Sequence, residues 1–276
     1  MIKEFKLTNE QKCGNIFGWL RGMFMKKESY FIKICFILIV IVFASVTFFD
    51  LKSKNTENDK NNGNDNDNVV EVVTTDNKEE KLKKNKETVL YYRNKYNNND
   101  VVGEFSILNT DYKKALMQNK KDNDYYLNHT ENGNSSFMGS IYLDFRIDVD
   151  SDNKLIIYGH NSEYVDMPFK ILEEYYSYDF YKEHQYIKIV TENKVRLYKV
   201  YAVLVETSDF SYMKVDFKDS DDWYEHISSF KSKSMYDTLE DVEKDDNILI
   251  MQTCSTHRNY KKYNKKFLLV VAKEIK

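Results

Sequence analysis

One cysteine and one histidine follow two apolar segments, and together they could form a nucleophile with its acid–base partner. The run ILIMQT at 248–253 is followed by Cys254, and the run LIIY at 155–158 is followed by Gly159 and His160. Free cysteine is mostly protonated at neutral pH, so a useful thiol nucleophile needs a base or a cation nearby. If the two runs are adjacent strands, their ends could bring Cys254 and His160 together on a rigid support.

An apolar segment near the N-terminus predicts a membrane anchor. Residues 30–49, YFIKICFILIVIVFASVTFF, form a run long enough as a helix to cross about 30 Å of hydrocarbon. Residues 1–29 carry six Lys/Arg and three Glu, which predicts a cytoplasmic N-terminus and an extracellular remainder. The run exceeds the ~7–15 apolar residues usual in a cleaved signal peptide, and no A-x-A site follows it, so we expect an uncleaved anchor.

This topology makes Cys254 the only external cysteine. Cys13 falls on the predicted cytoplasmic side and Cys35 within the membrane segment, so Cys254 has no partner for an intramolecular disulfide. Intermolecular pairing, an inert buried thiol and a reactive thiol all stay open. His257 is close to Cys254 in sequence and competes with His160 as the base, although its loop would have to fold back to present it.

The predicted external part consists of a linker and one domain. Residues 50–77 begin with a long Asn/Asp-rich stretch that has little to bury, and they predict a flexible linker. Residues 78–276 form the predicted extracellular domain, which starts with an amphipathic helix at 78–97. The apolar stripe of this helix consists of Leu82, Val89, Tyr92 and Tyr96.

Strand patterns dominate the remainder of the domain. They cover 102–107, 140–145, 154–158, 186–191, 195–206, 247–253 and 267–273. Short helices are expected at 168–182 and 220–233. Numerous strands with only short helices between them predict a mainly β barrel or sandwich with peripheral helices.

Nucleic acid and metal ions are not expected as ligands. The formal net charge is −3 and no strongly basic patch is visible, so nothing points to nucleic acid. The segment Asp148–Asp152 is similar to the start of a calcium loop, but Asn153 replaces the required glycine and Gly159 stands where the terminal glutamate belongs.

Five sequence blocks resemble the sortase family, specifically its class B. In chain order they are NDYYLNH at 123–129, GSIYLDFR at 139–146, IIYGHN at 156–161, YDT at 236–238 and TC at 253–254. The segment NDVVG at 99–103 is similar to the start of the family's first strand. The resemblance covers about residues 78–276. It implies an eight-stranded sortase β-barrel with an N-terminal helical extension and peripheral helices, preceded here by one transmembrane helix.

The resemblance also implies a reaction. Such enzymes cleave a sorting motif near the C-terminus of a secreted protein, hold the new carboxyl end as a thioester, and pass it to an amine of the cell-wall precursor. Cys254 would be the nucleophile and acyl carrier, while His160 would protonate the leaving amine and deprotonate the incoming one. Thr253 and Asn161 would line the substrate site, and no metal or organic cofactor is implied.

The chain departs from the family at a third position, an arginine at the start of the last strand. The segment KKFLLVVAK at 265–273 contains no arginine. Alignment on the following aromatic residue puts Lys266 there, whereas counting back from Ala272-Lys273 puts Phe267 there. Arg258 is the only arginine nearby. Lysine supplies charge without the planar fork of arginine, and loss of one oxyanion donor typically costs ~10²–10³ in rate. We expect Lys266 as a partial substitute, then Arg258 as a loop-borne replacement, then a weakened or inactive site. The other loop lysines, Lys261, Lys262 and Lys265, are expected to be solvated.

These features predict a membrane-anchored cysteine transpeptidase of the class B sortase type on the outer face of a Gram-positive cell. Its expected partners are secreted surface proteins with an NPxTN-like C-terminal sorting motif, and an amine of peptidoglycan precursor (lipid II) or of another protein. One alternative is a weakened or inactive sortase-fold surface module that binds sorting peptides or wall components. Another is a plain thiol hydrolase, which would release peptide acid without preference for an amine.

Overall fold

The computed structural model describes residues 67–275, with side chains from residue 77 onward. The predicted cytoplasmic segment 1–29, the anchor 30–49 and the first part of the linker lie outside the described residues. Within the part that is described, no helix is long and apolar enough to cross a bilayer.

Eight strands form a closed barrel in the described region. They are β1 (Val101–Ile107), β2 (Lys113–Met117), β3 (Tyr142–Leu143), β4 (Lys154–Tyr158), β5 (Tyr186–Val190), β6 (Val195–Glu206), β7 (Ile248–Cys254) and β8 (Phe267–Glu274). Around the barrel the order is β1-β2-β3-β4-β7-β8-β6-β5, and β5 closes it by pairing with β1. Most neighbours are antiparallel, whereas β2 with β3 and β4 with β7 are parallel. The predicted eight-stranded, mainly β barrel is confirmed.

Helices surround this barrel. The α-helices are α1 (Asp67–Tyr96), α2 (Tyr178–Glu183) and α3 (Ser220–Ser232), and 3-10 turns occur at Tyr125–Leu127, Lys170–Tyr176, Ser211–Met213 and Arg258–Tyr260. The helix predicted at 168–182 is therefore a 3-10 turn followed by α2. The break falls at Ser177, whose backbone is extended and whose side chain accepts a hydrogen bond from Phe180 N to cap α2.

Helix α1 packs on the barrel through its predicted apolar stripe. Val89 and Tyr92 are buried, and the Tyr92 hydroxyl donates to the carboxylate of Glu104 on β1 at 3.0 Å. The helix starts at Asp67, inside the segment 50–77 that the sequence predicts to be a linker. Residues 67–77 read DNVVEVVTTDN, and their β-branched valines and threonines have low helix propensity, so local pattern does not predict a helix there.

Two of the strands differ from the sequence prediction. The prediction misses β2, because KKALM has too short an apolar run to stand out, although its last three residues are buried. The strand predicted at 140–145 shrinks to Tyr142–Leu143. β2 and β3 share only the pair Met117↔Tyr142. Contacts across the barrel, and not local pattern, therefore define these two elements.

Strands β4, β7 and β8 form the most apolar part of the barrel wall. Their segments 155–157, 248–251 and 268–272 are all 0% exposed. Unbroken apolar runs are typical of strands that are buried on both faces. Burial of each such side chain contributes about 1.5–3 kcal/mol, so the relative positions of these strands are strongly constrained.

Lys154 on β4 is a buried lysine beneath the connection between β6 and α3. Its Nζ donates to the carbonyl oxygens of Tyr212 at 2.8 Å and Lys214 at 2.6 Å, and it lies 2.7 Å from Nε2 of His226 on α3. Burial, and secondarily the charge of Arg146, lowers the pKa of Lys154 to about 6. Burial also lowers the pKa of His226. A neutral amine fits these contacts, because it donates two hydrogens to the carbonyls and accepts one from the neutral imidazole.

Replacement of Lys154 should change how stability depends on pH. The unfolded chain keeps this lysine protonated up to about pH 10.4, whereas the folded protein releases the proton near its pKa of about 6. Between these values the unfolded state binds more protons, so the free energy of unfolding rises with pH by up to about 1.4 kcal/mol per unit. Lys154→Met removes this contribution, so the stability of the wild type relative to the variant should grow with pH.

Urea unfolding at several pH values between about 6.5 and 8.5 measures this difference. Lys218→Met, which removes an exposed lysine from the same connection, is the matched control and should leave the pH dependence unchanged. Parallel stability–pH curves for wild type and Lys154→Met would contradict a neutral Lys154.

Candidate active site

The parallel pairing of β4 with β7 brings the two predicted catalytic residues together. Tyr158 is paired with Gln252, and beyond the end of β4 the backbone N–H of Gly159 still donates to the Gln252 carbonyl at 3.2 Å. Extending this register by two residues beyond Tyr158 and Gln252 places His160 beside Cys254, at the ~4.8 Å spacing of adjacent strands. Side chains two residues apart lie on the same face of a strand. Tyr158, Gly159, His160, Gln252 and Cys254 all line one groove.

Two side chains tie the strand ends to each other. The hydroxyl of Thr253, which is fully buried, donates to the Gly159 carbonyl at 2.8 Å, and Nδ2 of Asn161 donates to the Cys254 carbonyl at 2.9 Å. Both residues therefore brace the site. Oδ1 of Asn161 is buried and has no hydrogen-bond partner among the described residues. The predicted contacts of Thr253 and Asn161 with substrate stay predictions.

Gly159 allows the close approach that positions His160. A Cβ at this position would lie 2.7 Å from the ring of Phe169, which is completely buried. Phe169 in turn donates its backbone N–H to the His160 carbonyl at 2.9 Å. A side chain at Gly159 would push against this contact, so the glycine has a packing role here.

The groove beside Cys254 has a volume of about 360 Å³ and is rich in aromatic side chains. One wall comes from residues in the segment 123–127 and the other from the segment 210–213. The aromatic lining consists of Tyr142, Tyr158, Phe210, Tyr212 and Phe267. Such a groove suits an extended peptide with apolar or small side chains.

Basic side chains hold the 210–213 wall in place. Lys154 binds the Tyr212 carbonyl, and Nη2 of Arg146 donates to the Met213 carbonyl at 2.9 Å. Arg146 is itself held by two hydrogen bonds, of 2.8 and 2.7 Å, to the buried carboxylate of Asp144. Asp144 and Arg146 lie in the GSIYLDFR block, but nothing in that block reveals which segment they support.

The environment of Cys254 favours a protonated thiol at rest. The residue is exposed on the groove side, yet burial of the remainder raises the pKa of its thiol above the ordinary value. The positive charge of Lys266 lowers the pKa and partly opposes this effect. A thiol in this state needs a base to become a nucleophile. His160 lines the same groove, and its ring makes no hydrogen bond to another described residue, so it is free to serve as that base.

Two adjacent lysines have different positions relative to the groove. Cys254 is paired with Phe267 at the start of β8, and the two lysines directly precede this pair. Lys265 lines the groove, whereas Lys266 is not a lining residue and its ammonium donates to the Tyr263 carbonyl at 3.2 Å. The ammonium of Lys265 lies 5.7 Å from the ring centre of Phe210. The expectation that Lys265 is merely solvated is therefore incomplete. Only the register of β7 with β8 reveals its position.

Arg258 and His257 lie in a separate depression. Neither residue lines the Cys254 groove, and both line a cavity of about 540 Å³ beside it. The His257 ring packs against Tyr176 with ring centres 4.6 Å apart, and its Nδ1 accepts a hydrogen bond from Asn259 N at 3.3 Å. The geometry thus favours His160 over His257 as the base, and Lys266 over Arg258 as the cation that acts on the thiol.

Removal of the Lys266 charge should raise the pKa of Cys254. In Lys266→Gln the opposing positive charge is gone while burial remains, so deprotonation of the thiol should move to higher pH. The midpoint of the rate of alkylation by iodoacetamide against pH measures this shift. Lys266→Arg should keep the midpoint close to that of the wild type. Lys262→Gln removes an exposed charge from the same loop and is the control; an unchanged midpoint in Lys266→Gln would contradict the electrostatic coupling.

Comparison with known proteins agrees with this geometry. The sortase domain model matches residues 105–275, which is most of the chain. Sortase B of Listeria monocytogenes is 33% identical over 167 residues, covering 59% of this chain and 66% of that protein, just under two thirds. Sortase B of Staphylococcus aureus is 31% identical over 180 residues, covering 64% of this chain and 71% of that protein.

Solved structures point the same way. A mutant form of Clostridium perfringens sortase B superposes with a TM-score of 0.62 and 26% identity, over 71% of this chain and 90% of that one. The match covers the barrel with its helices and is not confined to the short site motifs. The chain therefore belongs to the sortase family, and within it to class B, whose members are cysteine transpeptidases.

Proposed function

We propose that this protein cleaves a C-terminal sorting motif of secreted proteins through a thioester on Cys254 and transfers the acyl group to a cell-wall amine. The observation that carries this proposal is the position of His160 and Cys254, which lie at the ends of the parallel strands β4 and β7 and line one groove. A nucleophile with a neighbouring base at a groove is the arrangement that acyl transfer requires.

In the first half of the reaction, the sorting peptide occupies the groove and His160 takes the thiol proton of Cys254. The sulfur attacks the scissile carbonyl, and the imidazolium gives its proton to the leaving amine as the C–N bond breaks. The aromatic walls of the groove hold the sorting peptide so that its scissile bond stays close to the sulfur. The product is an acyl thioester on Cys254.

Lys266 has the supporting electrostatic role in this scheme. Its charge acts on the sulfur of Cys254, so it can also stabilise negative charge that develops on the adjacent carbonyl oxygen. A lysine provides this as a point charge without bidentate hydrogen bonding. We therefore expect an active enzyme whose rate is limited by this substitution.

In the second half, an amine attacks the thioester. The C–S bond breaks, an amide bond forms, and the two protons lost from an ammonium acceptor end on the Cys254 sulfur and on His160. The proposed substrates are secreted surface proteins with an NPxTN-like motif, and the proposed acceptor is the amine of lipid II or of another protein. Neither half of this proposed reaction uses a metal ion or an organic cofactor.

A sorting peptide of the NPxTN type tests the first half. Mass spectrometry of the protein after rapid mixing should detect a thioester on Cys254. Cys254→Ala and His160→Ala should form none. Lys266→Gln should slow thioester formation by ~10²–10³ because an oxyanion-stabilising charge is lost, whereas Lys266→Arg should be at least as fast as the wild type. Lys262→Gln, a charge removal elsewhere in the loop, should behave as the wild type.

Two results would contradict this proposal in different ways. Peptide binding to a folded wild-type protein without any adduct would favour the non-catalytic binding module. An adduct that always resolves to free peptide acid, at a rate independent of added amine, would favour the plain thiol hydrolase.

We also propose that residues 30–49 anchor the chain in the cell membrane with the N-terminus in the cytoplasm and the domain outside. The apolar run and the excess of basic residues before it support this arrangement. The full chain should fractionate with membranes, and protease added to intact cells should digest the domain. Deletion of residues 30–49 should release the protein from membranes. A full chain found only in the soluble fraction would contradict the anchor.

A further inference from the structure

The depression that contains Arg258 lies directly beside the reacting thiol and has no role in the scheme above. Its volume is about 540 Å³, and it shares no lining residue with the Cys254 groove. It joins the site through two short segments, since Thr256 follows Cys254 by two residues and Glu163 follows His160 by three. At no more than about 3.6 Å per residue, their Cα atoms lie within roughly 7 Å and 11 Å of those of the catalytic residues.

Internal contacts make most of this depression rigid. The carboxylate of Glu173 accepts hydrogen bonds from both the backbone N–H, at 2.8 Å, and the hydroxyl of Thr256. The Tyr176 hydroxyl is 2.6 Å from Oγ of Ser255, and the ring of His257 packs on Tyr176. The depression is thus tied to the segment that follows the nucleophile.

Two charged groups in the depression stay available for a ligand. Neither the carboxylate of Glu163 nor the guanidinium of Arg258 makes an ion pair or a side-chain hydrogen bond with another described residue, and both are exposed. One is an acceptor for an ammonium and the other binds carboxylates in a planar, two-point manner. Glu163 is on the His160 side, where an incoming amine must give up its proton.

We propose that this depression binds the acceptor, and that it selects an amine borne by a short peptide or amino acid with a free carboxylate. The ammonium lies toward Glu163 and His160, and the carboxylate pairs with Arg258. This inference rests on the proposed transpeptidase function. It also gives Arg258 a part in the second half of the reaction and none in oxyanion stabilisation.

The test uses the full chain in detergent, with a sorting peptide as acyl donor. The acceptors are triglycine, which has a free ammonium and a free carboxylate, and triglycine amide, whose carboxylate is blocked. Thioester formation is measured separately from transfer to the acceptor. The wild type should use triglycine more efficiently than the amide. Because exposed ion pairs are weak, we expect a difference of about fivefold in kcat/KM for the acceptor.

The variants separate the two roles open to Arg258. Arg258→Gln should remove the preference for triglycine over its amide and leave thioester formation unchanged, and Arg258→Lys should restore part of the preference. Glu163→Gln should weaken both acceptors, since both carry the ammonium. Lys261→Gln removes a neighbouring charge that does not line the depression and should change nothing.

Three outcomes would overturn the inference. A triglycine preference that persists in Arg258→Gln would exclude the carboxylate contact, while normal thioester formation would leave the proposed function intact. Slow thioester formation in Arg258→Gln would assign Arg258 to the oxyanion instead. Finally, NMR titration of Cys254→Ala with triglycine measures acceptor binding without turnover. If the double variant Cys254→Ala, Arg258→Gln binds triglycine as tightly as Cys254→Ala does, the inference is also contradicted.

Discussion

The parallel pairing of β4 and β7 is the constraint on which the site depends. In an antiparallel pair the carboxyl ends of the two strands point in opposite directions, whereas in a parallel pair both carboxyl ends lie at the same end of the pair. Cys254 ends β7 and His160 lies two residues beyond the end of β4, so this one pairing brings the proposed nucleophile and the proposed base to the same place. A shift by one residue would turn every side chain to the other face. The hydrogen bonds from Thr253 to the Gly159 carbonyl and from Asn161 to the Cys254 carbonyl hold only in the observed register and oppose such a shift.

Polar groups that the barrel buries near this edge form the other part of the site. Lys154 and Arg146 bind backbone carbonyls of the groove wall at 210–213, and the buried carboxylate of Asp144 holds Arg146 in place. Removal of one partner from such a buried polar contact leaves the other unsatisfied and is costly. The satisfied hydrogen bonds of these three side chains fix one arrangement of the wall. The fold therefore keeps polar residues in its interior where they hold a wall of the groove beside Cys254.

Charge is distributed unevenly around the nucleophile. On the groove side the lining is mainly aromatic. Burial raises the pKa of Cys254, and the charge of Lys266 opposes this effect. On the far side, the segment after Cys254 forms the wall of a second depression with unpaired charges of both signs. In the reaction we propose, an apolar donor peptide would bind on the groove side and a zwitterionic acceptor on the far side, so the two halves of the acyl transfer would use separate surfaces next to one sulfur.

Local pattern in the sequence was enough to predict most strands, the stripe of α1, and the position of Cys254 and His160 at strand ends. It did so because burial on a strand or helix face leaves a period in the residues themselves. Tertiary structure alone decided which strands are neighbours, that β2 completes the barrel, that Lys265 faces the groove, and that Arg258 lies in another depression. These features depend on strand pairing and register between residues far apart in the chain, and no local period records them.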